Sequence, residues 1–159
     1  VEAPVHNKNL NVEVCRVDQL VAVLPPGHIL ADRSTISLHD LLEFPFVTRE
    51  EGSGTRNVIW DYLRAAGFNT ADLQVVMELG SPESIKGAVE SGMGVSILSR
   101  TTLHKEVLTG ALVAVDLEPA LERPFSFVHQ KQKFRVRAMD ELLNFARNYF
   151  VANQGSITG

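Results

Sequence analysis

An open α/β fold is what the sequence predicts, and three observations carry the prediction. Short β-rich runs alternate with helical periodicities along nearly the whole chain. Serines stand where helices would begin, and glycines and prolines punctuate the boundaries. Regular alternation of this kind implies a mostly parallel sheet flanked by helices, with right-handed crossovers.

Taken in order, residues 17–24 are β-rich and stop at Pro25-Pro26-Gly27. Ser37 reads as a helix N-cap, with Asp40 three residues on, Ile36 and Leu41 placed as a hydrophobic staple, and Pro45 as the stop. Residues 46–48 form a short buried strand. The next helix runs over about 55–66, with Val58, Ile59, Tyr62, Leu63 and Ala66 on one face and Gly67 ending it. Residues 74–79 are a strand. Ser81 then caps a helix with Pro82 at its first position and Glu83 in its first turn. Its inner face is Ile85, Ala88 and Val89, and Gly92 closes it. Strands follow at 95–98 and 112–115, separated by a helix that Ser99 is expected to cap and that ends near Gly110. After Pro119 comes a strand at 125–128. The last helix, 135–150, is expected to carry Val136, Met139, Leu142, Leu143, Ala146 and Phe150 on one apolar stripe. A small, polar tail, 153–159, is expected to fray.

Composition narrows the function classes. At 159 residues, 45% hydrophobic and 21% charged, the chain suits one domain or two small lobes with an ordinary core. Its formal net charge of −4 argues against gripping nucleic acid unaided, because phosphate contacts need a basic stripe. Lys131, Lys133, Arg135 and Arg137 form the nearest basic cluster and read as a solvated face. One cysteine, Cys15, permits no intrachain disulfide and suits a reducing compartment. No apolar run approaches the roughly 20 residues of a membrane span. The five histidines lack the spacing of a metal site.

The segment from Arg49 to Arg56 is the most informative. It leads from the C-terminal end of a strand into a helix, the edge at which open α/β sheets bind ligands. Gly52 and Gly54 let the backbone turn and present N–H groups, Ser53 and Thr55 add hydroxyls, and the helix start favours negative charge. Arg49 or Arg56 can grip a carboxylate, sulfate or phosphate in bidentate fashion. A plain capping serine with solvated arginines fits the same residues equally well. The turn at Gly80 to Ser84 lies at the same edge, where simple capping by Ser81 is the better reading. Gly92-Met93-Gly94 lies at the opposite end and reads as structural. Asp18, Glu78 and Glu83 form no evident acid–base pair, and Ser53 has no evident base to make it a nucleophile.

Five segments in order resemble the effector-binding domain of LysR-type transcriptional regulators, over about 12–150. They are residues 18–31, ending His28-Ile29-Leu30-Ala31 with Ile29 where the family has proline; Ser37-Leu38-His39-Asp40-Leu41; Phe44-Pro45-Phe46-Val47; Gly52-Ser53-Gly54-Thr55-Arg56; and residues 90–98 around Gly92-Met93-Gly94. The Arg49–Arg56 form is similar to a subgroup regulating carbon fixation and sulfur or cysteine metabolism. The resemblance implies the fold of type 2 periplasmic binding proteins, two α/β lobes joined by crossover strands. About 20–121 would be lobe two, with 1–19 and 122–152 as remnants of lobe one and the crossovers. The family's helix-turn-helix and most of lobe one have no counterpart here, so the last helix would lack its covering surface. By the same resemblance, a small anionic effector meets Arg49, Ser53, Gly54, Thr55, Arg56, Ser81 and Pro82 from lobe two. No cofactor, metal or catalytic chemistry is implied. DNA is contacted only through the absent N-terminal part, and the protein is a cytoplasmic homo-oligomer, a dimer or, at full length, a tetramer. A transport receptor of the same architecture, or a lyase or transferase lobe, are the competing classes. The first would need a signal peptide and an intact first lobe, the second paired titratable groups at the cleft.

Overall fold

Strand β1 (Leu10–Leu24) carries the run from Leu20 to Leu24 with no exposed residue. Alternation along a strand sends successive side chains to opposite faces. Leu20, Ala22 and Leu24 therefore enter one apolar cluster and Val21 and Val23 another. Burial on both faces explains why this stretch reads as continuously apolar rather than alternating.

The computed structural model describes residues 7–131 and 137–152. After β1 come β2 (Thr35–Ile36), α1 (Leu38–Leu42), β3 (Pro45–Arg49), α2 (Gly54–Ala65), β4 (Gln74–Leu79), α3 (Pro82–Glu90) and β5 (Ser96–Ser99). Then follow α4 (His104–Leu108), β6 (Val113–Leu117), β7 (Leu121–Gln130) and α5 (Arg137–Ala152). Two compact units result, Asp18–Arg123 and a smaller one formed by the described residues on either side of it, 7–17, 124–131 and 137–152.

In the larger unit, β3 and β4 are parallel, and β3 bridges in parallel to Val95 at the head of β5. These are the strands that α2 and α3 connect, where the crossover argument applies. Outside that run the senses mix. β1 is antiparallel to both β5 and β6, while β6 is parallel to β2. No crossover helix joins β1 directly to either neighbour, so the parallel rule does not bind it. The two clusters lie on either side of the sheet. One holds Phe46 with Ile59 and Leu63 of α2, the other Val47 with Ile85, Ala88 and Val89 of α3.

Local signals explain the boundaries. Ser37 and Asp40 form a reciprocal capping box on α1, with Ser37 N–H donating to Asp40 Oδ2 at 2.8 Å. The helix expected after Ser99 is instead a single turn at Arg100–Thr102 followed by the five-residue α4. Ser99 makes no cap bond; its Oγ donates to the buried Asp18 carboxylate at 2.7 Å. An ionised acceptor binds a hydroxyl more strongly than a helix N–H does, and it sits within reach. Gly94 is structural, as expected: a Cβ there would lie 2.4 Å from the Pro45 carbonyl oxygen.

In the smaller unit, α5 buries Leu143 and half-buries Met139, Ala146 and Phe150, whose ring meets Phe127 at 5.8 Å. Leu142 departs from the expected stripe and is 65% exposed. A helix turns about 100° per residue, so Leu142 belongs with Phe145 and Tyr149, three and seven positions on, which are exposed too. Val136, Lys133, Arg135 and the tail at 153–159 lie outside the described residues. Arg147 grips both carboxylate oxygens of Glu13 at 2.5 and 2.6 Å. The half-buried Cys15 donates its thiol to the Phe125 carbonyl at 3.2 Å.

Candidate functional site

β3 and β4 end side by side, and α2 and α3 start just beyond them, so both serine turns lie along one edge of the sheet. At the first turn the chain leaves β3 at Arg49 and bends at Gly52, whose φ of +87° is a left-handed conformation that glycine adopts without strain. It enters α2 through Ser53. The Ser53 Oγ accepts from Arg56 N–H at 3.5 Å, a long cap bond, and the residue is buried. Backbone bonds occupy Ser53 N–H (to Glu50 O, 3.2 Å) and Asn57 N–H (to Ser53 O, 3.1 Å). Among the described residues, the N–H groups of Glu51, Gly52 and Gly54 have no protein acceptor. Three donors at the positive end of a 12-residue helix are thus available to an anion.

Both arginines reach this turn, and each already holds a carboxylate. Arg49 donates Nε and Nη2 to the two oxygens of Glu50, at 2.7 and 2.9 Å. Arg56 Nη1 lies 2.9 Å from Glu78 Oε2 and 3.3 Å from the Arg49 carbonyl, and its guanidinium lies over the Trp60 ring at 5.4 Å. The arginine side chains are 18% and 17% exposed, the glutamate side chains 44% and 46%. The cations are therefore packed into the protein, and the acids form the solvent side of each pair. The Arg49 fork holds the Glu50 carboxyl below the usual carboxylate range.

Behind the turn lies a buried polar network. Thr55, buried in the first turn of α2, accepts from Arg123 Nη1 at 2.8 Å. Arg123 Nε donates to Asp18 Oδ2 at 2.9 Å, with side chains 5% and 0% exposed. Thr48, one residue before Arg49, is buried with its Oγ1 lacking a hydrogen-bond partner.

At the second turn, Ser81 caps α3 by accepting from Ser84 N–H at 3.1 Å, its Oγ also 2.9 Å from Ser84 Oγ. Ser81 and Pro82 are half-buried. Of the seven residues expected at the site, five lie in the first turn and two at this neighbouring one. Sequence reasoning missed Glu50, Glu78, Trp60, Thr48, Arg123 and the role of Asp18. The available signal was a charge set in an apolar strand: Asp18 heads a buried run, and Arg123 interrupts 121–128.

A separate apolar hollow of about 400 Å³ lies at the other end of β3, against Pro45, Phe44, His28 and Gly94. Among the described residues His28 is the one titratable side chain lining it, and burial pushes its imidazole pKa down. The hollow carries none of the groups that line the Arg49–Arg56 turn. Among the described residues no cluster of potential metal ligands occurs, and no helix is long and apolar enough to cross a membrane.

Comparison with known proteins agrees with this architecture. The family model for the LysR substrate binding domain matches residues 1–151. An uncharacterized HTH-type transcriptional regulator of Methanocaldococcus jannaschii is 39% identical over 109 residues, 69% of this chain and 37% of that protein. The uncharacterized HTH-type transcriptional regulator YeiE of Escherichia coli is 36% identical over 147 residues, 91% of this chain and 48% of its own length. The chain therefore spans about half or less of the curated relatives it matches. Among solved structures it is similar to the Synechocystis CcmR regulatory domain in complex with 2-PG, with a TM-score of 0.83 and 28% identity. That match covers 94% of this chain and 71% of the other. These likenesses support the type 2 periplasmic-binding-protein fold and favour an effector-sensing regulator over a transport receptor.

Proposed function

The chain belongs to the LysR substrate-binding-domain family, and from that premise we propose that it senses a small anionic metabolite at the turn from Arg49 to Arg56. The observation that carries this reading is the set of three open N–H groups, on Glu51, Gly52 and Gly54, in the turn that Arg49 and Arg56 bound in sequence. A carboxylate, sulfate or phosphate group would take those N–H bonds and share Arg49 and Arg56 with their present partners. Ser53 and Thr55 line the same turn, and Ser81 with Pro82 flank it from α3. A neighbour carrying a ligand named 2-PG supports a small-molecule effector.

In this reading the unit Asp18–Arg123 is lobe two, and the smaller unit holds the crossovers and what is present of lobe one. The sensed signal would reach DNA through a helix-turn-helix elsewhere in a full-length cytoplasmic regulator. The reading gives this chain no catalytic chemistry, no cofactor and, with a net charge of −4, no DNA affinity of its own. Self-association into a dimer is part of it, with the exposed Leu142, Phe145 and Tyr149 as a contact face. Sedimentation of Phe145→Glu against the parent chain checks that element; an unchanged monomer in both removes it.

Titration with sulfate, phosphate and simple carboxylates tests the site, followed by calorimetry and by amide shifts. Saturable binding that moves the Gly52 and Gly54 amides is the expected result. Binding that leaves both unmoved, or no binding at all, overturns the assignment.

A further inference from the structure

Asp18, Arg123, Thr55 and Ser99 come from four separate segments and meet in one buried cluster. Arg123 bonds to Asp18 at 2.9 Å and to Thr55 at 2.8 Å, and Asp18 accepts from Ser99 at 2.7 Å. Ser99 Oγ lies 2.8 Å from Thr101 Oγ1 as well. The sequence separations across the first three bonds are 105, 68 and 81 residues. Asp18 and Arg123 are the first and last residues of the larger unit, on β1 and β7.

A buried ion pair is a poor source of stability, because removing both charges from water offsets most of their attraction. Its geometry, by contrast, is demanding: the planar guanidinium offers donors in fixed directions. Here one direction is taken by Asp18 and another by the hydroxyl of Thr55. Thr55 sits between Gly54, whose N–H is open, and Arg56, whose guanidinium reaches the turn. Holding the Thr55 side chain therefore holds the first turn of α2 against the strands. That is the turn whose N–H directions must match an anion.

We infer that Arg123, oriented by Asp18, is a positioning residue for the anion-binding turn. It is 4% exposed, so it acts through Thr55 rather than by touching the ligand. The inference rests on the proposed anion site. Sulfate affinity then depends on a guanidinium that the sulfate does not contact.

The test uses the 159-residue chain and sulfate as the probe. The paired variant Asp18→Asn/Arg123→Gln removes both charges together, so no uncompensated charge stays buried. It should fold, by circular dichroism, and bind sulfate about tenfold more weakly, with faster hydrogen exchange at Gly54, Thr55 and Arg56. A folded double variant with parental sulfate affinity overturns the inference while leaving the site intact. A parental chain that binds no sulfate at the turn overturns the site itself. A second measurement needs no variant: nitrogen NMR of the parental guanidinium groups during sulfate titration. The Arg123 Nε and Nη signals should shift with saturation while those of Arg33, whose partner is Asp40, stay still. Arg123 signals that stay constant at full sulfate occupancy overturn the inference even if the double variant fails to fold.

Discussion

Two kinds of arginine–carboxylate pair meet the start of α2 in this molecule. Arg49–Glu50 and Arg56–Glu78 line the sheet edge, with cations packed and acids half in water. Arg123–Asp18 lies behind them with both partners sealed off. The contact distances, 2.7 to 2.9 Å, do not separate the two kinds. Solvent does. A half-exposed acid is readily replaced by water or by another anion, so an edge pair contributes little to stability and can be exchanged. A sealed pair cannot open without stranding a charge. The same chemistry thus serves as a replaceable contact in one place and a fixed strut in the other.

The largest expected effect tests the strut. Asp18→Ala leaves the Arg123 guanidinium buried without its carboxylate and should destabilise the fold by about 3–5 kcal/mol. Glu78→Ala, at the edge, should cost under about 1 kcal/mol. Chemical denaturation of the two variants side by side decides between them, and similar losses would erase the distinction.

Next comes the edge as a binding site. Arg49→Ala and Arg56→Ala should each lower sulfate affinity about tenfold, since a hydrogen bond to a charged group is worth about 1.5–3 kcal/mol. Calorimetry reads this directly, and unaltered affinity in both would leave the arginines as mere surface pairs.

A smaller change, opposite in sign, is expected when the internal competitor is removed. Glu50→Gln should raise sulfate affinity about threefold, because Arg49 no longer holds a charged partner, and leave the denaturation midpoint unmoved. Acidification should act likewise. Arg49 depresses the Glu50 pKa in the folded state. The pair's contribution is therefore complete above the unfolded carboxylate value, about 4.3, and is lost as pH falls through the lower folded one. Sulfate stays ionised in that range, so its affinity should climb as Glu50 takes up its proton. A flat profile in the parent chain would show that Glu50 does not compete.

The last test concerns the caps. Ser81→Ala removes the acceptor for Ser84 N–H and should cost about 1 kcal/mol of stability. Ser53→Ala, with its long 3.5 Å bond, should cost less in stability and more in sulfate binding. A thermal melt and a titration on each serine variant separate capping from recognition.

Much of this architecture was legible in the sequence because it rests on local rules. Ser37, Ser53 and Ser81 each cap a helix as their residue type and following residues require. Gln74–Leu79 and Pro82–Glu90 fall where alternation and the Ser-Pro start place them. The turn proposed here as the anion site was visible as well, since a strand-to-helix turn bearing two glycines and two arginines is a contiguous feature. What the sequence did not disclose is what distance along the chain hides. Ser99 was expected to cap a helix and instead bonds Asp18, 81 residues away. Leu142 was placed on the inner stripe of α5, but which arc of a helix is covered depends on what packs against it. β1 runs antiparallel to both β5 and β6 because no crossover helix constrains it. Propensities and caps act over a few residues, whereas partners for buried charges and the covered faces of elements arise only when distant segments meet.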